Sequence, residues 1–286
     1  MSIGKTGNIT VKLPDGTDLD AKHQVTVIVT DHKKAPQQGK NVTVKGDLGQ
    51  SAAGKTDKNG ELTVPEVEQT ERHGIYIVGY TDGTFGPARS MTRSEAAAIF
   101  ARLLAEKNGD TISTAANTKF ADIPAHAWYS GYVKYLSNNG ITYGKNKTIF
   151  APNDAITRAE FTTMAVRFFD VYGDGDAEIM EQFSGFNDVS SGYWAAEYIK
   201  YAALHGWING YGDGSFHADR EINRAEVVTI VNRLLGREAD EDYIADNLRK
   251  LNTFPDVTKR HWAYYAVMEA ANAHTAVLGE SESWSK

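Results

Sequence analysis

The chain has no cysteine among its 286 residues. Thiol nucleophiles, iron–sulfur clusters, Cys-ligated zinc and structural disulfides are thereby excluded. It has no apolar run near the roughly 18–20 residues that a membrane-spanning helix needs, and Met1 to Lys12 carries no apolar core of the signal-peptide kind. It also lacks a basic excess: 30 Lys and Arg against 37 Asp and Glu leave a net charge of -7, which argues against a generic electrostatic grip on nucleic acid or on an anionic membrane. The length suits one large domain or two ordinary ones, with no need of disulfide stapling. The chain reads as soluble, either intracellular or as part of a protein whose export signal lies elsewhere.

Residues 1–72 have the texture of short strands. Val25 to Val29, Val42 to Val44 and Leu62 to Val64 are rich in β-branched residues, punctuated by Asp15-Gly16, Gly39, Gly46, Gly49 and Asn59-Gly60. The expectation is a small all-β sandwich. Thr56-Asp57-Lys58-Asn59-Gly60 resembles the hairpin turn of bacterial immunoglobulin-like and prealbumin-like spacer modules. His23, His32 and His73 are scattered there without paired spacing, so no metal site is expected among them.

From residue 73 onward the sequence repeats itself, and two kinds of segment alternate. One is Phe-x-Asp followed by Trp: Phe120, Asp122, Trp128; Phe186, Asp188, Trp194; Phe254, Asp256, Trp262, with Asp six positions before Trp each time. The other is a Gly, a Phe and a polar-Arg-small-Glu tetrad: Gly79, Phe85 and Thr92 to Glu95; Gly144, Phe150 and Thr157 to Glu160; Gly210, Phe216 and Asn223 to Glu226, with Gly fourteen positions before Arg each time. Apolar positions after each tetrad (Ala96, Ile99, Phe100, Leu103 and their counterparts) and after each Trp recur with helical period. The order of the halves is 74–108, 119–170, 185–236 and 253–284. Three of each half exist but only two covalent pairs, so the last half is expected to dock on the first and close a pseudo-threefold ring.

Gly-Tyr-x-Asp-Gly-x-Phe (Gly79 to Phe85, Gly210 to Phe216), Ile-Thr-Arg-Ala-Glu and Phe-x-Asp-x5-Trp resemble the S-layer homology domain family over 74–284, about three-quarters of the chain. The resemblance implies a mainly α, three-pronged module over 73–286 following the β-sandwich. It implies non-covalent attachment of a bacterial surface protein to the envelope, through a pyruvylated secondary cell wall polymer or modified peptidoglycan. No cofactor and no enzymatic activity are expected, and the module is expected to be monomeric. The family's groove arginine maps to Arg93, Arg158 and Arg224. The middle unit departs from the pattern, with Lys145 and Lys147 where Tyr and Asp stand in the other two.

The residues themselves allow two readings of the tetrad. Thr92, Thr157 and Asn223 with Glu95, Glu160 and Glu226 form capping boxes, a purely structural use. That does not explain Arg, whose charge opposes the positive end of the helix dipole. Either it pairs internally, with Asp122, Asp188 and Asp256 as candidates, or it waits beside an exposed helix N-terminus for an external carboxylate. Trp128, Trp194 and Trp262 could likewise plug the core, the commoner use, or stack on sugar rings. Tyr80, Tyr211 and Lys145 are expected to line the grooves. Gly79, Gly144 and Gly210 mark either a positive-φ turn or a close approach of ligand to backbone.

Asp170, Asp174, Asp176 and Glu181 partly fit a calcium loop, although Tyr172 occupies its third ligand position. An acidic inter-repeat linker explains them equally, and Glu238 to Asp242 reads as a second solvated linker. An adhesion or protein-interaction scaffold is the main competing function. A wall-modifying enzyme fragment is weaker, because no acid recurs with a companion nucleophile, histidine or metal set.

Overall fold

The computed structural model describes residues 8–12, 25–30, 34–45, 51–64, 69–172, 183–278 and 282–285. The chain divides into two compact units, 1–73 with 274–286, and 74–273. The expected boundary after residue 72 therefore meets a second boundary near the C-terminus, and the last residues of the expected fourth half leave the helical unit.

The first unit holds eight strands among the described residues: β1 Asn8–Lys12, β2 Val25–Thr30, β3 Asn41–Lys45, β4 Ser51–Lys55, β5 Glu61–Val64, β6 Gln69–His73, β7 His274–Leu278 and β8 Ser283–Ser285. They form three antiparallel sheets, ordered β1-β2-β5, β3-β4 and β6-β7-β8. The turn at Thr56 to Gly60 forms as its residues suggest. Asp57 Oδ1 accepts from the amides of Asn59 at 2.8 Å and Glu61 at 2.9 Å, and Gly60 takes φ +74°. It is no hairpin, however. β4 pairs with β3, while β5 pairs with β2, so the turn passes the chain from one sheet to another.

The second unit holds seven helices among the described residues: α1 Arg93–Asn108, α2 Ser130–Asn138, α3 Arg158–Tyr172, α4 Ala196–Leu204, α5 Arg224–Leu235, α6 Glu241–Asn247 and α7 Tyr264–Ala271. The long helices α1, α3 and α5 start at the three tetrads. In each, the Thr or Asn side chain accepts from the Glu amide and the Glu Oε2 accepts from the cap amide, which satisfies two otherwise orphaned donors. α2 and α4 stop at Gly140 and Gly206, both at positive φ. α7 has no such glycine and runs through Asn272 into β7. The acidic run at 238–242 is no linker. Asp240 caps α6, accepting from the Tyr243 amide at 2.8 Å, and Glu241 and Asp242 fill a first turn that favours negative charge.

The threefold ring closes. Met91 N–H donates to Ile222 O at 3.0 Å, Ile222 N–H to Ile156 O at 3.1 Å and Ile156 N–H to Met91 O at 2.9 Å. These three fully buried residues thus hold one another in a closed triangle of backbone hydrogen bonds. Around it, each aspartate of an aromatic half accepts two backbone amides of a tetrad half. Asp122 serves Phe150 and Ala151, Asp188 serves Phe216 and His217, and Asp256 serves Phe85 and Gly86. The last of these joins residues 171 and 170 positions apart and completes the unit that the chain leaves open.

Candidate functional site: three grooves in the helical unit

The sequence arithmetic that pairs the halves also places one groove at each junction. The first is lined by Gly79, Tyr80, Glu95, Arg102, Trp128 and Arg224, with a volume of about 250 Å³. The second, by Gly144, Arg93, Glu160, Arg167 and Trp194, is only about 80 Å³. The third, by Gly210, Tyr211, Arg158, Glu226, Arg233 and Trp262, is about 270 Å³. Each groove therefore takes its tetrad arginine from one repeat and its tetrad glutamate from the next.

The arginines form the floors, not the mouths. Arg93, Arg158 and Arg224 are 4, 5 and 4% exposed. Each Nε donates at 2.8 Å to the carbonyl of the phenylalanine in the neighbouring tetrad half, Phe150, Phe216 or Phe85. Each guanidinium also faces that ring at 4.5–5.0 Å, a cation–π arrangement. The helix N-termini are equally occupied. The first two amides of each long helix donate to loop carbonyls: Arg93 to Asp154, Ser94 to Pro152, Arg158 to Arg220, Ala159 to Ala218, Arg224 to Arg89 and Ala225 to Pro87. The expectation of an exposed helix terminus waiting for an anion is thus overturned, because those donors join one repeat to the next.

The aspartates are not the arginines' partners either, since their oxygens are spent on backbone amides. The partners are tetrad glutamates. Arg93 Nη1 lies 3.2 Å from Glu160 Oε1, and Arg158 Nη1 lies 3.3 Å from Glu226 Oε1. Each glutamate divides its work, with Oε2 capping its own helix and Oε1 turned into the groove. The grooves then differ. Beside the second groove, Lys145 Nζ reaches Glu160 Oε1 at 2.8 Å. Burial acts to raise the Glu160 pKa, but Lys145 and then Arg93 overcome it and hold the carboxyl below its ordinary value. In the third groove, Arg220 and Tyr211 also converge on Glu226 Oε1.

In the first groove, Arg224 Nη2 donates to Val78 O at 2.7 Å, and its guanidinium sits 4.6 Å from the Tyr80 ring. Among the described residues no carboxylate comes within ion-pair distance of it, although Glu95 is near enough to act on its pKa. Burial pulls the pKa of both Arg158 and Arg224 down.

The tryptophans stand at the rims. Trp128, Trp194 and Trp262 are 54, 57 and 65% exposed, so the core-plug reading is wrong for all three. The position is held by the groove and not by the core, which is filled by phenylalanines and aliphatic residues. Phe120 against Phe150, Phe186 against Phe216 and Phe254 against Phe85 pack with ring centroids 5.1–5.5 Å apart.

These same phenylalanines explain the glycines. A Cβ on Gly79, Gly144 or Gly210 would lie 2.5 Å from a ring carbon of Phe254, Phe120 or Phe186 respectively. Only Gly144 of the three has positive φ. The glycine admits the ring of the docking aromatic half.

A family model described as the S-layer homology domain matches residues 63–97, 119–162 and 185–228. The chain carries three S-layer homology repeats. Cell surface glycoprotein 1 of Acetivibrio thermocellus is 34% identical over 218 residues, 73% of this chain and 9% of that protein. The cellulosome-anchoring protein of the same organism is 30% identical over 233 residues, 81% of this chain and 49% of that protein. The surface-layer 125 kDa protein of Lysinibacillus sphaericus is 31% identical over 163 residues, 56% of this chain and 13% of that protein. The chain therefore spans less than half the length of these relatives.

The S-layer homology repeats carry a second cation that the motifs did not single out. Arg102, Arg167 and Arg233 each follow the tetrad arginine by nine positions, and each lines the wall of its groove. Arg102 faces the Tyr132 ring at 5.1 Å, and Arg167 faces Tyr198 at 5.0 Å and Tyr143 at 4.8 Å. The fixed offset is present in the sequence, but it lies inside an amphipathic helix whose apolar period marks only the core face. Of the calcium candidates, Asp170 lies on α3, exposed to solvent, and Asp174, Asp176 and Glu181 lie outside the described residues. No helix among the described residues is long and apolar enough to cross a membrane.

Proposed function

We propose that this chain fastens a protein non-covalently to the bacterial cell envelope, its S-layer homology grooves holding an acidic wall glycan. One observation carries the proposal: in every groove an exposed indole stands over a guanidinium-bearing floor. An indole offers a flat apolar face to a sugar ring, and a planar guanidinium matches a carboxylate. A pyruvate ketal supplies one carboxylate per modified sugar, so a pyruvylated secondary cell wall polymer fits best. Modified peptidoglycan is the second candidate. The relatives, a cell surface glycoprotein, a cellulosome-anchoring protein and a surface-layer protein, point the same way.

The first groove is the principal site in this reading. Arg224 has no carboxylate within ion-pair distance among the described residues, so a ligand carboxylate there displaces no internal acid. In the second groove the Lys145–Glu160 pair must open first. The module acts as a monomer, without catalysis, and the first unit is a β-sandwich spacer of the immunoglobulin-like kind. Co-sedimentation with purified wall sacculi, before and after removal of pyruvate, tests the reading. Binding should be lost with the pyruvate. Retention on pyruvate-free sacculi would favour peptidoglycan, and failure to sediment with either would favour an adhesion scaffold.

A further inference from the structure

We infer that the sheet β6-β7-β8 of the first unit carries a binding site for a divalent transition-metal ion, with zinc the best match, formed by His73, His274 and Glu282. Local spacing could not reveal it, because the two histidines stand 201 positions apart and meet only as a register pair of β6 and β7. Their ligand atoms and that of Glu282 fall within 4.8 Å of one another. The three side chains are 3, 3 and 4% exposed.

Two imidazoles and one carboxylate are a donor set that suits zinc. The spacing fits as well. His73 Nδ1 is 3.3 Å and His274 Nε2 is 3.1 Å from the same oxygen, Glu282 Oε1. Metal bonds of about 2.0–2.1 Å in a tetrahedral arrangement set neighbouring ligand atoms about 3.3 Å apart. Charge-assisted hydrogen bonds are shorter, at about 2.7–2.9 Å.

The surroundings supply what orients metal ligands. The His274 ring stacks on Trp284 at 3.8 Å and 14°, and Trp284 Nε1 donates to Glu282 Oε1 at 3.0 Å. The other ring nitrogen of His73, Nε2, faces Glu71 Oε2 at 3.7 Å.

The test is calorimetric titration of Zn²⁺ into the full chain after dialysis against a chelator, together with Co²⁺ absorption spectra. One saturable site per chain, an intense tetrahedral cobalt spectrum and a zinc-dependent rise in melting temperature are expected. His274→Gln should abolish the site. Trp284→Phe keeps the stack but loses the N–H, and should weaken zinc binding by about 10–100-fold. An unmodified chain that gives only a weak, octahedral cobalt spectrum and no saturable zinc site overturns the inference, whatever the variants do. Equal zinc affinity in the unmodified and His274→Gln chains also overturns it.

Discussion

At the scale of single residues, the grooves turn on how each tetrad glutamate spends its two oxygens. Oε2 is committed to the helix cap in all three copies, so the competition for Oε1 decides how open each groove is. Lys145 wins that competition in the second groove. Lys145→Tyr should therefore open it, giving one further weak binding event in titration with a pyruvylated glycoside. An unchanged stoichiometry would count against this. Trp128 is more than half exposed, so Trp128→Ala should leave the melting temperature within a degree or two while weakening glycan binding by roughly tenfold, about 1.4 kcal/mol. A fall in stability with no loss of binding would return the indole to a packing role.

The repeat arithmetic identified every one of these positions. It could not say which way they face. Trp after Phe-x-Asp has the composition of a core residue, and only the packing of Phe120, Phe186 and Phe254 beneath the glycines leaves the indole outside. Arg invites the idea of a solvent-facing cation, yet its Nε is claimed by a carbonyl some 57, 58 or 139 positions away, a partner that spacing alone does not disclose.

At the scale of elements, the helix starts serve as joints. Their first amides bind the neighbouring repeat, and the capping boxes hold the next ones. Thr92→Ala should cost about 1 kcal/mol in unfolding free energy. The aspartate clamps are a second kind of joint. Asp256→Ala leaves the amides of Phe85 and Gly86 without their acceptor and should cost about 1–3 kcal/mol, read as a shift of the denaturation midpoint.

The same clamps set the response to acid. For Asp188 and Asp256, burial acts upward on the pKa, but the backbone amides outweigh it and leave each carboxyl below its ordinary value. A depressed folded-state pKa contributes stability that is present above the unfolded value and is lost as pH falls through the folded one. Melting temperature should therefore hold steady above about pH 5 and decline below about pH 4, and Asp256→Asn should flatten part of that decline. Elements written in local pattern, such as the three long helices and their caps, were legible in the sequence. α6 was not, because an acidic run reads as solvated chain until Asp240 within it is seen to cap a helix. The pairing of β4 and β5 with different sheets was also hidden, since the turn between them has the residues of a hairpin.

At the scale of the whole molecule, counting halves was enough to foresee the closure. Three aromatic and three tetrad halves in the order found leave two open ends, and Asp256 and Phe254 join them to Phe85 and Gly79. The second limit between the units, after residue 273, was not foreseeable in this way, because β7 follows α7 with no break in composition and its partner β6 lies some 200 residues earlier. The central claim, that the clefts exist to hold acidic sugar, is tested most directly by calorimetric titration with a glycoside bearing a pyruvate ketal and with its methyl ester. The acid should bind and the ester should not, with most of the affinity lost in Arg224→Ala and retained in Arg93→Ala. Equal affinity for acid and ester, or full affinity in Arg224→Ala, would contradict the account.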